Sequence, residues 1–155
     1  TQAFADAVIA RLGQLPERME PVQFAESVNQ ITPSNWQLMY STEKKELMGV
    51  DIFLDWNEGT ANELGAKLDA LVDEKLRLVV ISNRGVKVYP NALPGIFCTD
   101  HWRCRFEAKD GKSPITHADI LRQLAVLSEK GFDFIKTEHL YNFDGERGYS
   151  LAQGQ

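Results

Sequence analysis

Three arginines and one turn carry most of the chemistry available to this sequence. Arg103 and Arg105 alternate along Trp102–Ala108, and Arg84 sits in Asn83-Arg84-Gly85, which interrupts two extended runs. Guanidinium groups present planar forks of N–H donors that match carboxylates and phosphates. Asn83, Arg84, Gly85, Arg103 and Arg105 are therefore a candidate anion or interface site. The same residues also have a plainer reading. Asp51 and Asp55 alternate within Val50–Trp56, and on a neighbouring strand they would meet Arg103 and Arg105 in a solvated charge ladder. Each such pair contributes roughly 0.2–1 kcal/mol. Asn83-Arg84-Gly85 reads equally well as a hairpin turn.

Other chemistry is thinly provided. His101, His117 and His139 are expected to lie far apart, without the short spacings that place two imidazoles on one metal. Cys98, His101 and Cys104 have a usable spacing, but alternation sends Cys104 to the apolar side of its strand, where a buried structural thiol is expected. Neither GxGxxG nor GxxxxGK[ST] occurs, and there is no GxSxG nucleophile elbow. The Asp51/Asp55 carboxylates are of a kind common on sheet faces. Taken alone, these residues describe a folded domain without catalytic machinery of its own.

The elements that position these residues are legible from periodicity. Trp36–Tyr40 and Leu47–Trp56 read as strands separated by a charged turn at Ser41–Glu46, and Leu76–Ser82, Val86–Tyr89, Trp102–Ala108 and Phe132–Glu138 read as further strands. Thr60-Ala-Asn-Glu63 and Thr116-His-Ala-Asp119 each place a capping hydroxyl three residues before an acid, so each opens a helix. Leu64, Leu68 and Leu71 follow Thr60 at the same offsets as Ile120, Leu124 and Leu127 follow Thr116, and the second helix stops at Gly131. Strand–helix–strand therefore occurs twice. That pattern predicts an α+β, ferredoxin-like split βαβ sandwich, with two helices on one face of a mainly antiparallel four-stranded sheet. In it, Val50–Trp56 is expected beside Trp102–Ala108 in parallel, with the charges on the uncovered face. The tail from Asn142 is rich in Gly and polar residues.

Residues 1–13 read as a separate amphipathic helix, with Phe4, Val8 and Leu12 as a candidate docking face and Gly13 as its stop. Residues 14–35 hold three of the six prolines and read as an extended linker, with one short extended piece around Val22–Phe24, leaving 36–155 as the α+β domain. The chain opens on Thr1 and reads as a piece of something longer. Its 155 residues include 43% hydrophobic and 10% aromatic, which excludes intrinsic disorder. Seventeen basic against 22 acidic residues give a net charge of −5, which argues against nucleic acid as a partner. No apolar run approaches the ~18 residues of a membrane span. Two cysteines make no disulfide framework, so a cytoplasmic setting is expected.

The opening Phe4-Ala-Asp-Ala-Val-Ile-Ala-Arg-Leu-Gly13, followed by Gln-Leu-Pro16, resembles the last helix of an isocitrate dehydrogenase catalytic domain. Gly49-Val-Asp-Ile-Phe53, Val80–Pro90, Trp102–Phe106 and the closing Gly148–Gln155 resemble the extra C-terminal domain of a large bacterial type of that enzyme. The resemblance implies a parent that oxidises isocitrate to 2-oxoglutarate with NADP or NAD and Mg or Mn. It implies no catalytic, cofactor or metal residue here, because the family's motifs for those belong to the catalytic domain. It implies as partners the parent's own catalytic domain and other subunits of a homo-oligomer, with assembly as the role. The alternative reading is a small-molecule-binding regulatory module using Arg84, Arg103 and Arg105.

Overall fold

In the computed structural model, residues 2–15, 17–20, 42–92 and 94–154 are described, and the chain divides into two units, Thr1–Tyr40 and Ser41–Gln155. In the first unit, α1 (Gln2–Ile9) is followed by a turn that ends at Gly13, whose φ of 81° is the left-handed conformation expected of a helix stop. The helix is shorter than the predicted 1–13 because its last turn tightens: Arg11 and Leu12 donate to carbonyls three residues back. Phe4, Val8 and Leu12 are all exposed. The extended piece predicted around Val22–Phe24 and the strand predicted at Trp36–Tyr40 lie outside the described residues, as do residues 21–35 of the linker.

The second unit is β1 (Lys45–Asp55), α2 (Ala61–Asp69), β2 (Leu76–Asn83), β3 (Val86–Tyr89), β4 (His101–Ala108), α3 (His117–Glu129), β5 (Asp133–Phe143) and β6 (Glu146–Arg147). Both capping boxes form. Thr60 and Thr116 accept from the N3 amides of Glu63 and Asp119, and each acid reaches back to the cap's own amide. The strand order is β3-β2-β4-β1-β5-β6, whose inner four are those of the ferredoxin-like fold. The helices share one face. Leu64 and Leu68 of α2 and Ile120 and Leu127 of α3 join a single cluster with Val50, Ile52, Leu54, Cys104 and Phe106 of the sheet.

Four expectations are corrected. β4 runs antiparallel to β1, not parallel, with Asp51 opposite Arg105 and Phe53 opposite Arg103. The crossover through α2 joins β1 and β2, which are not neighbours; β4 fills the gap between them and pairs antiparallel with both. The sheet has six strands rather than four, since β3 and β6 extend its two edges through two-residue turns. Arg84 and Gly85 supply the positive φ of the first (53° and 83°), Asp144 and Gly145 that of the second (50° and 85°). β5 also continues to Phe143, well past Glu138.

The fourth correction concerns the face away from the helices, which is not uncovered. Residues 149–153 cross it. Gln153 bridges Val86 in parallel, accepts from the Lys87 amide at 3.0 Å and donates to the Gly85 carbonyl at 3.1 Å. Val80, Leu140 and Ala152 are buried apart from the main cluster.

Candidate functional site

The side chains at 101, 103, 105 and 107 of β4 project toward the tail-bearing face, because 102, 104 and 106 are committed to the helix-side core. Two of the four behave differently from a solvated ladder. Arg105 donates Nε to Asp51 Oδ1 and Nη2 to Asp51 Oδ2, each at 2.8 Å, and Nη2 also reaches the Ser150 carbonyl at 3.0 Å. The Tyr149 ring lies 4.9 Å from its Cζ. Both Arg105 and Asp51 are 1% exposed. Burial works against the Arg105 charge, but the hydrogen bonds and charge of Asp51 more than offset it and hold the guanidinium above its ordinary pKa. Arg105 is thus committed to the fold. Asp55 stands opposite His101 instead of joining the arginines.

Arg103 is held less completely. Its Nε lies 3.6 Å from Asp51 Oδ2, and neither Nε nor Nη2, both buried, has a hydrogen-bond partner. A cavity of about 210 Å³ adjoins it, lined by Phe53, Ser82, Arg84, Gly85, His101 and Arg103. Of the five residues singled out from sequence, the structure brings Arg84, Gly85 and Arg103 together there. Asn83 is turned elsewhere. Its amide donates to the Thr99 and His101 carbonyls (2.8 and 3.1 Å) and accepts from the Thr99 amide (3.0 Å), so it clamps the strand preceding loop to β2. Ser82, His101 and Phe53 were missed. Their place in the lining follows from the pairing register, to which no local pattern points.

The cysteine–histidine trio does not assemble. Cys104 is wholly buried and its thiol is pushed far up by desolvation, then by Asp51; Cys98 is raised by burial as well. A thiol so held is a structural hydrophobe. The histidines are not all far apart, which corrects the sequence expectation. His117 and His139 pack edge-to-face with ring centroids 5.2 Å apart, because the N-terminus of α3 sits over β5, and Tyr141 Oη lies 3.3 Å from His117 Nε2. Among the described residues no three His, Cys, Asp or Glu side chains are placed to hold a metal ion. A larger cleft of about 480 Å³ lies between the α2 cap and the loop after β3, with Trp56, Trp102, Ile96 and Cys98 in its wall. None of its described helices is long and apolar enough to cross a membrane.

With this geometry in view, likeness to known proteins is specific. The family described as bacterial isocitrate dehydrogenase, C-terminal domain, matches residues 45–155. The whole chain is 38% identical to 32% of the NADP isocitrate dehydrogenase of Rickettsia bellii, and 40% identical to the same share of that of Rickettsia conorii. It is 30% identical to 31% of the Thermus thermophilus protein of that name. The crystal structure of the TT0538 protein from Thermus thermophilus superposes with a TM-score of 0.67 at 30% identity, covering all of this chain and 31% of that one. The chain therefore spans about a third of the length of the curated relatives it matches.

Proposed function

The chain belongs to the bacterial isocitrate dehydrogenase C-terminal domain family, and on that premise we propose that it is the assembly domain of an NADP-dependent isocitrate dehydrogenase. The parent enzyme would oxidise isocitrate and release CO₂ to give 2-oxoglutarate in the cytoplasm, as a step of the tricarboxylic acid cycle. The observation that carries the reading is the reach of the likeness: all of this chain matches one third of proteins named NADP isocitrate dehydrogenase. The exposed face of α1 supports the assembly role. Phe4, Val8 and Leu12 face solvent in this chain, and burying side chains of this kind is worth roughly 1.5–3 kcal/mol each. The parent's catalytic domain is the proposed cover for that face, with other subunits as further partners.

No residue here is assigned to NADP or to Mg²⁺ or Mn²⁺; in this reading the rest of the parent holds both. The test uses the full-length enzyme with and without residues 36–155. Sedimentation should show a smaller oligomer for the truncated enzyme, while isocitrate oxidation per active site changes less. An unchanged oligomer would refute the assembly role.

A further inference from the structure

We propose that the cavity between the β2–β3 turn and β4 is a binding site for a small free oxyanion, a phosphate or a compact polycarboxylate, held by Arg103 and Arg84. The inference is independent of the assembly role and rests on three observations.

The first is the state of Arg103. Two of its buried donors, Nε and Nη2, have no acceptor among the described residues. The one carboxylate near it, Asp51, already receives both N–H bonds of Arg105 at 2.8 Å and stands 3.6 Å from Arg103 Nε. Unmatched buried donors of a charged group are costly, and such groups in folded proteins ask for a specific explanation. Asp51 is thus bound first to Arg105 and reaches Arg103 only at ion-pair distance, beside the cavity.

The second is the rest of the wall. Arg84 lines the cavity from the turn, and among the described residues no carboxylate lies within ion-pair distance of it; its Cζ lies 5.8 Å from the Phe97 ring. His101 and Ser82 add polar groups. Asp55, opposite His101 in the register, is not among the lining residues. Lys136 Nζ lies 4.2 Å from the centroid of the Phe53 ring and pairs with Glu138, and Lys136 is not among the lining residues. The lining itself therefore holds two arginines and no acid.

The third is size. About 210 Å³ is room for several waters at roughly 30 Å³ each, which suits a phosphate or a short polycarboxylate. Arginine forks match both chemistries bidentately, so the anion class is fixed by charge and size together.

The experiment is calorimetric titration of the whole chain with inorganic phosphate and, separately, with citrate, against sodium chloride at matched ionic strength. Saturable binding of either, absent with chloride, is expected; which one binds identifies phosphate or polycarboxylate as the ligand type. Arg84→Ala, at an exposed turn, should weaken that binding by about tenfold, the loss of one charge-assisted hydrogen bond. Arg103→Met should abolish it, with folding checked by circular dichroism. Amide shifts on titration should cluster at residues 82–85 and 101–103. No saturable binding of either anion, or equal binding in the wild type and Arg84→Ala, would overturn the proposal.

Discussion

Arg105 and Asp51 face each other across β1 and β4 in a bidentate ion pair with both side chains 1% exposed. Pairs of this kind are fragile to the loss of one member, because the survivor is left charged in a dry site. Asp51→Ala should destabilise the chain by about 3–5 kcal/mol, with Arg103 losing its nearest counter-charge at the same time. Asp51→Leu combined with Arg105→Leu should recover most of that loss, since neither charge then has to be desolvated. Urea unfolding of the three variants measures both effects. A single-variant loss no larger than that of a surface pair would show that the pair is wet.

Gly65 lies in the middle of α2, where Ala is ordinarily better by about 0.8–1 kcal/mol. Here the substitution should be harmful. A Cβ at Gly65 would stand 2.5 Å from Cδ2 and Cε2 of Tyr89, and that ring is tied in place by its hydroxyl, 2.5 Å from Asp69 Oδ2. Gly65→Ala is expected to cost about 1–3 kcal/mol by overpacking. In a Tyr89→Ala background the same change should become neutral or favourable, and a double-mutant cycle by chemical denaturation reads the coupling.

Much of this fold is legible in the sequence, and the reasons differ by element. The capping boxes at Thr60 and Thr116 are local chemistry complete within four residues, and both form as read. The alternation of Trp102, Cys104 and Phe106 fixes which side of β4 is buried without naming its neighbour. Direction and register are long-range properties, so the Asp51–Arg105 pairing and the antiparallel sense of β4 were out of reach. The path of the tail over the sheet is not legible, because Tyr149 to Gln153 carry no apolar period. Their role depends on backbone hydrogen bonds to the β2–β3 turn and on one carbonyl, that of Ser150, reaching Arg105. For the proposed anion cavity, Arg84, Arg103 and Arg105 stand out together in the sequence, and only the fold shows that Arg105 is committed elsewhere.

His139 contributes to the neutral-to-acid limb of the stability curve. Burial, then the neighbouring His117 and Lys45, lower its pKa below the ordinary 6.5. The unfolded chain therefore takes up this proton first. The associated stability is fully present above pH 6.5 and is lost as pH falls toward the folded value. NMR titration should find the His139 imidazole titrating below 6.5, and His139→Gln should flatten unfolding free energy against pH in that window. Titration at or above 6.5 would contradict the packing of the two rings.

Asp119 governs a separate window further into acid. Its carboxylate receives the Thr116 hydroxyl (2.6 Å) and amide (2.7 Å), and it also meets Arg122 and lies 3.6 Å from Lys75 Nζ. The Thr116 bonds first, then the two cations, hold its pKa down to about 2 against an ordinary 3.8, although burial opposes them. The unfolded chain binds the proton at higher pH than the folded one. Stability from this group is thus present above about pH 4 and is lost as pH falls through that range toward 2. Thr116→Ala should cost about 0.5–2 kcal/mol at neutral pH through the lost cap and should raise the Asp119 pKa. Asp119→Asn should remove part of the pH dependence between 4 and 2 while leaving the His139 window untouched. The equivalent box at Thr60 ends in the exposed Glu63, so Glu63→Gln is expected to perturb the acid limb less than Asp119→Asn does. Parallel acid titrations of the two variants, followed by circular dichroism, decide the order. Equal effects would mean that burial of the α3 cap adds nothing to its strength.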